Sequence, residues 1–367
     1  MPPTVPEPLH LAEFDYELPP GAIAQRPSAQ RDEARLMVVE GDVTARPLCD
    51  DRSIHDLPEL LRPGDLLVVN DTRVFPARLT GHKETGGRIE ALLTAPDSDD
   101  VSGRQRWKAI LGASRMPGAG SAIVFGSGFA AVVIQPPGAG GEAAILELRA
   151  DGGVEAAIDR FGQVPLPPYI ARGDGPEAED RGRYQTIFAR ERGAAAAPTA
   201  GLHFTPELVA RLESAGIARA AVTLHVGPGT FQPLRDGPLP DRLHAEFYRI
   251  PEATVEAIHR TRRSGGSVVA VGTTTVRTLE HAGRDGRLCP GEGWCDLFIR
   301  PGFAFRQTDR MLTNFHLPRS SLLVLVAAFA GRDRILAAYR EAIERGYRFY
   351  SYGDATLLGP WPPRSHP

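Results

Sequence analysis

Two apolar periodicities divide the chain. From Leu66 to about Ala150, short apolar runs alternate with Gly, Pro, Asp and Ser: LLVVN, ARLTGH, RIEALLT, RWKAILG, SAIVFG, FAAVVIQ and AAILELRA. Runs this short and evenly spaced, with no repeat near about 3.6, predict six or seven strands of a barrel or sandwich. The flanks read differently. Arg35–Glu40 predicts a strand and Ile54–Leu61 a short helical turn. Beyond residue 153, helical spacing over Val154–Phe161, Pro206–Ala215, Glu252–Arg263, Val276–Ala282, Ser320–Ala330 and Arg332–Arg345 alternates with apolar strands. Those strands are expected at Ile217–Val226, Ser267–Val271, Asp296–Arg300, Met311–Phe315 and Tyr347–Tyr352. Such alternation indicates an α/β class with a largely parallel or mixed sheet. The expected organisation is a discontinuous α/β domain (1–61 and 154–367) with a small all-β barrel inserted at 62–153.

Turn chemistry sharpens one segment. In Pro198–Thr205 (PTAGLHFT), Thr205 suits a helix N-cap, Pro206 the first helical position and Glu207 the positive end of the dipole. Gly216 suits the helix end. The strand after it runs into GPGTF (Gly227–Phe231), so two His-bearing turns bracket one helix and one strand. By contrast, the charged segment Ala171–Arg183 reads as a mobile loop.

Bulk properties narrow the function. The 367 residues are 42% hydrophobic and 24% charged, with net charge −3. That excludes a whole-surface nucleic-acid binder and leaves room for a local basic patch. Cys49, Cys289 and Cys295 form neither a disulfide framework nor a metal-ligand spacing. A reducing, cytoplasmic setting is expected. MPPTVPEPLH lacks the marks of a signal peptide. The apolar run Leu322–Ala330 is too short to span a bilayer, so no membrane is expected.

Four polar constellations carry candidate chemistry. PTAGLHFT and LHVGPGTF offer loop N–H groups, Thr199, Gly201, His203, His225, Gly227, Gly229 and Thr230 for a carboxylate, phosphate or ribose. VGTTTVRTLE places Thr273, Thr274 and Thr275 at a helix start, with Arg277 opposed by the dipole. Arg277 therefore pairs either with Glu280 or with a ligand. In HAEFY, His244 and Glu246 are two apart and share a face if the strand is regular. MLTNFHLPRSS ends a strand at Asn314 and His316, where open α/β sheets place ligands. In the barrel stretch, NDTRVFPAR gathers Asn70, Asp71, Arg73 and Arg78, as turn residues or as site residues.

Together these strings resemble the S-adenosylmethionine:tRNA ribosyltransferase-isomerase family of queuosine biosynthesis. The resemblance runs in order through FDYELPPGAIAQRP, RPGDLLVVNDTRVFPARL, LPPYI, RYQTIFA, AAPTAGLHFT, TLHVGPGTFQP, HAEFY, VGTTTVRTLE, LTNFHLPRSSLLVLVAAFAG and YRFYSYGDA. It implies a mixed-sheet, distorted barrel-like catalytic domain with an inserted barrel. It also implies transfer and isomerisation of the ribosyl part of S-adenosylmethionine onto 7-aminomethyl-7-deazaguanine at the tRNA wobble position. Epoxyqueuosine, adenine and methionine are the implied products, with S-adenosylmethionine consumed as co-substrate and no metal or bound cofactor implied. Three features depart from the usual family pattern: Thr275 replaces Ser, Pro228 replaces an aliphatic residue, and LGASRMPGAG lacks a basic pair.

That chemistry needs a proton acceptor and a general acid. The expected catalytic groups are Glu246 with His244, and His203 or His316. Thr273–Thr275 and Arg277 are expected to hold the methionine carboxylate or ribose, while the backbone and Thr199 of PTAGLHFT grip S-adenosylmethionine. Asn70, Asp71 and Arg73 are expected to position the deazaguanine. The alternative is a relative that acts on a non-tRNA acceptor. A monomer is the expected state.

Overall fold

Leu66–Asn70 is buried at every position and sits at the middle of the largest sheet. A run apolar on both faces belongs to a strand covered on both sides. The sequence reading counted LLVVN among the barrel strands; the structure places it between Ala218–Leu224 and Val268–Val271, parallel to both. The physical reason is the missing in-out alternation that barrel strands need.

The computed structural model of the protein describes residues 9–40, 48–99, 101–138, 142–173, 177–227, 234 and 236–359. Nine strands form the large sheet, in the order Gly291–Leu297, Arg242–Ile250, Ala218–Leu224, Leu66–Asn70, Val268–Val271, Arg310–Asn314, Ala355–Leu358, Arg35–Glu40, Leu48–Ser53. The four strands from Ala218–Leu224 to Arg310–Asn314 run parallel. Antiparallel pairs occupy both edges, so the sheet is mixed.

The closed barrel has six antiparallel strands, from Arg78–Lys83 to Ala144–Ala150. Arg104–Gly112 alternates strictly, burying Gln105, Trp107, Ala109 and Leu111. That period of two is what closes a barrel around a core. The helix Val154–Phe161 leads out, and Phe161 stacks on Phe129 at 5.8 Å.

Helix boundaries follow local chemistry. Thr205 Oγ1 accepts from the Leu208 amide at 3.1 Å and caps Pro206–Ser214. Ser320 Oγ accepts from Leu323 N at 3.2 Å and caps Ser321–Ala330. This second helix is apolar nearly all round and is buried beside Arg332–Glu344. The helix expected from Val276 begins at Thr273. Its threonines are accommodated because Thr275 and Thr278 return their hydroxyl protons to the carbonyls of Val271 and Thr274. Among the described residues, no helix is long and apolar enough to cross a membrane.

Three further expectations change. Tyr347–Tyr352 is not a strand. The Asp354 carboxylate accepts the Arg35 and Arg348 amides, turning the chain so that Ala355–Leu358 becomes the strand. The strand expected at Asp296–Arg300 begins earlier, at Gly291, because polar GEGWC pairs along a sheet edge. Within the segment expected to be mobile, Arg172 donates two 3.0 Å bonds to the Asp180 carboxylate, with both side chains nearly sealed from solvent. Residues 174–176 of that segment lie outside the described residues.

Gly162 follows the barrel-exit helix where two backbones meet. A Cβ there would stand 2.0 Å from the Pro76 carbonyl oxygen and 2.5 Å from that of Ile158. Backbone cannot yield as a side chain can. Gly162→Ala is expected to destabilise the protein by more than about 2 kcal/mol in denaturant unfolding. An unchanged midpoint contradicts this packing.

Candidate active site at the strand ends

Because the four central strands are parallel, their carboxyl ends share one edge, where ligands bind in open α/β sheets. A cleft of roughly 680 Å³ opens there, lined by Val226, Gly272–Thr274, Thr313–Leu317, residues 196–200, Ser320, Leu322, Tyr169, Tyr350 and Ser351.

Asn314 is the hub of this cleft. Its Nδ2 donates to the Tyr350 carbonyl at 3.1 Å, and its Oδ1 accepts from the Thr199 hydroxyl at 3.0 Å. A carbonyl can only accept, so the amide orientation is fixed. Nδ2 also faces His203 Nε2 at 3.1 Å. That nitrogen must therefore accept, which puts the neutral ring's proton on Nδ1. Burial pushes His203 down to about 4, consistent with a neutral ring. Tyr350 adopts φ 77°, which is strained for a non-glycine residue. Three bonds hold it there: its carbonyl accepts from Asn314 and from the Gly353 amide at 2.9 Å, and its own amide donates to the Phe315 carbonyl at 3.1 Å.

His316 lies on the cleft wall and is almost fully enclosed. Its Nε2 is 3.0 Å from the Thr313 hydroxyl, its amide donates to Tyr339 Oη, and its carbonyl accepts from Tyr16 Oη at 2.5 Å. Burial pushes its pKa down to about 3. At neutral pH it is an uncharged imidazole able to accept a proton.

Arg277 is committed to the protein. It is buried and forms an ion pair with Glu246, while its Nε donates to the Leu297 carbonyl at 3.1 Å. Burial works against its charge, but Glu246 outweighs burial and holds the guanidinium above its ordinary value. Glu280 is not its partner: that carboxylate turns to the amides of Arg306, Gln307 and Thr308, while Arg277 pairs with Glu246. Glu246 Oε1 also accepts from Gly227 N at 2.8 Å, so the pair ties the helix, the edge strand and the GPGTF turn together.

The His244–Glu246 pairing does not form. Register slips between Arg242 and Glu246, which breaks the alternation; Glu246 is buried while His244 is exposed. Asn70 is also internal. It exchanges bonds with the Leu224 amide and carbonyl and donates to Thr274 Oγ1 at 3.3 Å, so it locks two strand ends together. Asp71 accepts from the Thr223 hydroxyl at 2.7 Å and pairs with Arg190 at 2.8 Å; burial raises its pKa. His225 bonds the Thr72 hydroxyl at 2.8 Å, stacks on Phe247, and lies where a Cβ on Gly193 would be 2.5 Å from its Nε2. Burial lowers its pKa. Arg73 is exposed. Gly201 packs on Thr186, whose methyl would sit 3.0 Å from an added Cβ. Gly229 and Thr230 lie outside the described residues.

Of the residues the sequence singled out, Thr199, Thr273, Thr274, Asn314 and His316 line the cleft itself. His203 and Asn70 support it from behind. Thr313, Ser320, Tyr169, Tyr350 and Ser351 also line it and were missed. The strings LPPYI and YRFYSYGDA were the only sign of the three aromatic-loop residues, and nothing in them marks the turn at Tyr350.

Two measurements follow. Removing one partner of a buried pair strands the other charge. Glu246→Gln is expected to lose about 3 kcal/mol in denaturant unfolding, and the double variant Glu246→Gln/Arg277→Met to regain part of it. Equal losses in both contradict the pairing argument. The second concerns pH. His203 and His316 protonate in the unfolded chain near about 6.5 but resist it in the fold. Their stability is present above that pH and is lost as pH falls, by about 2 kcal/mol each from pH 7 to 5. His316→Gln should flatten that slope relative to wild type; identical slopes contradict the burial argument.

A match to the queuosine biosynthesis protein family spans residues 11–358. The chain is 54% identical to a protein of Anaeromyxobacter dehalogenans strain 2CP-C named S-adenosylmethionine:tRNA ribosyltransferase-isomerase, over 95% of this chain and 99% of that one. A protein of the same name from Citrifermentans bemidjiense is 47% identical over 96% and 100%. The crystal structure of S-adenosylmethionine tRNA ribosyltransferase from Thermotoga maritima is 37% identical, covers 95% of this chain and 100% of its own, and superposes with a TM-score of 0.52. With a family match over nearly its whole length and relatives at such identities, the chain belongs to the queuosine biosynthesis protein family, that of the S-adenosylmethionine:tRNA ribosyltransferase-isomerases.

Proposed function

We propose that the protein transfers and isomerises the ribosyl moiety of S-adenosylmethionine onto 7-aminomethyl-7-deazaguanine in tRNA. The products are epoxyqueuosine in the tRNA, adenine and methionine. The observation that carries this reading is the composition of the cleft. Among the described residues its lining has hydroxyls, an amide, aromatic rings and a neutral imidazole, but no Arg or Lys side chain. Such a lining accepts a sulfonium cation without repulsion.

The carboxylate end of the co-substrate has a separate fit. Gly272, Thr273 and Thr274 bring the start of the ten-residue helix Thr273–Ala282 to the cleft wall. Unsatisfied N–H groups and the dipole at a helix start favour an anion. They take the role first given to Arg277, which Glu246 already occupies. Thr199 and Asn314 offer a hydroxyl and an amide oxygen to ribose.

His316 is the neutral imidazole of the cleft in this reading. Burial lowers its basicity, so it meets the substrate as a hydrogen-bonding group rather than as a strong base. A proton delivered to it would be passed on readily, which suits protonation of the departing adenine. Glu246 holds the Arg277 end of the site and does not exchange protons with substrate.

The test is incubation with S-adenosylmethionine and tRNA carrying the aminomethyl-deazaguanine. Free adenine and a matching mass gain on the tRNA are expected. Adenine release without tRNA modification assigns the protein to another acceptor; neither product contradicts a transferase.

A further inference from the structure

A second hollow, of about 280 Å³, opens beside the cleft and shares Ser351 with it. Arg31, Arg183, Ser28 and Tyr352 form part of its wall. Arg31 donates to the carbonyls of Gln185, Gly182 and Leu202 at 2.8, 2.9 and 3.3 Å. Arg183 donates to the carbonyls of Ala29, at 3.3 Å, and Ser28. Neither guanidinium has a carboxylate partner among the described residues. The nearby acids are engaged elsewhere: Asp180 with Arg172, Glu177 with Arg26 and Asp354 with Arg348. Two cations thus share one concavity uncompensated. Burial and the charge of Arg183 both depress Arg31.

Tyr352 also lines the hollow, but it is 3% exposed and its hydroxyl is sealed from solvent. The two guanidiniums supply the donors that a tetrahedral oxyanion accepts.

We propose that this hollow binds a phosphodiester of the RNA chain beside the nucleotide held in the cleft. The proposal rests on the reading of function above, since it takes tRNA as the acceptor. An oxyanion could also arrive as free phosphate or as the methionine carboxylate, and the experiment separates these sources. Contacts to phosphate fix register without reading sequence. A local pair of this kind also lets a chain of net charge −3 hold RNA.

The test uses the full chain, with tRNA affinity measured across a salt series, S-adenosylmethionine affinity by calorimetry and folding by thermal melting. Arg183→Gln is expected to weaken tRNA binding about tenfold and to reduce the log–log salt slope by about one. Arg183→Lys should restore most of the slope. Arg31→Gln should weaken tRNA binding and lower the slope in the same way. That variant keeps the test decisive if Arg183→Gln fails to fold. S-adenosylmethionine affinity should match wild type in all of them. Unchanged tRNA binding in Arg31→Gln and Arg183→Gln overturns the proposal. Lost S-adenosylmethionine affinity with an unchanged salt slope assigns the hollow to the methionine carboxylate and also overturns it. So does inorganic phosphate that raises the melting temperature of wild type but not of Arg183→Gln, if tRNA binding is equal. A wild type that modifies tRNA while the variants bind it normally sinks this proposal alone. A wild type that binds no tRNA sinks the functional reading with it.

Discussion

The amide of Asn314 is the contact on which the cleft depends. It sits at the end of a buried strand and joins the loop bearing Thr199, the ring of His203 and the backbone of Tyr350. With Asn314 itself, these groups come from three separated parts of the sequence. One planar group with two donors and an acceptor satisfies all of them, and only one orientation does so. Fixing the amide fixes the imidazole tautomer behind it and holds Tyr350 in a conformation that costs about 1–3 kcal/mol. Rigid support of this kind is what a site needs before it can favour one geometry of substrate.

The charges obey the same constraint. At or just past the end of every central strand stand polar residues that burial would penalise if left unpaired. Arg277 and Glu246 neutralise each other, and Glu280 accepts three backbone amides. Asn70 closes the gap between Leu224 and Thr274. What remains on the cleft surface is uncharged, with the helix start at Thr273 as its positive element. A cationic sulfonium carrying a carboxylate meets complementary surroundings at both ends. The arginines that could hold an anion outright stand in the neighbouring hollow, where a polyanionic acceptor has more use for them.

Most element types were legible because burial imposes a period, whereas exposed edges do not. Strict alternation in Arg104–Gly112 and capping at Thr205 and Ser320 translate directly into structure. LLVVN was assigned to the wrong sheet because a run apolar on both faces carries no record of its neighbours. GEGWC became a strand only through pairing at an edge, which leaves no apolar trace. The site was legible as a set of segments rather than as roles. A two-residue spacing placed His244 with Glu246, but a slip in register separated them. The dipole argument rightly gave Arg277 a strong partner; that the partner would be Glu246 depends on how Arg242–Ile250 packs against the helix, a tertiary fact. Tyr350 owes its importance to a backbone turn, which a linear string does not encode.

The central claim is that the strand-end cleft seats S-adenosylmethionine. A crystal structure of the protein with that co-substrate tests it most directly. The account predicts the methionine carboxylate at the amides of Thr273 and Thr274, and the ribose near Thr199 and Asn314 within reach of His316. Ordered co-substrate elsewhere, with this cleft left to solvent, would contradict it.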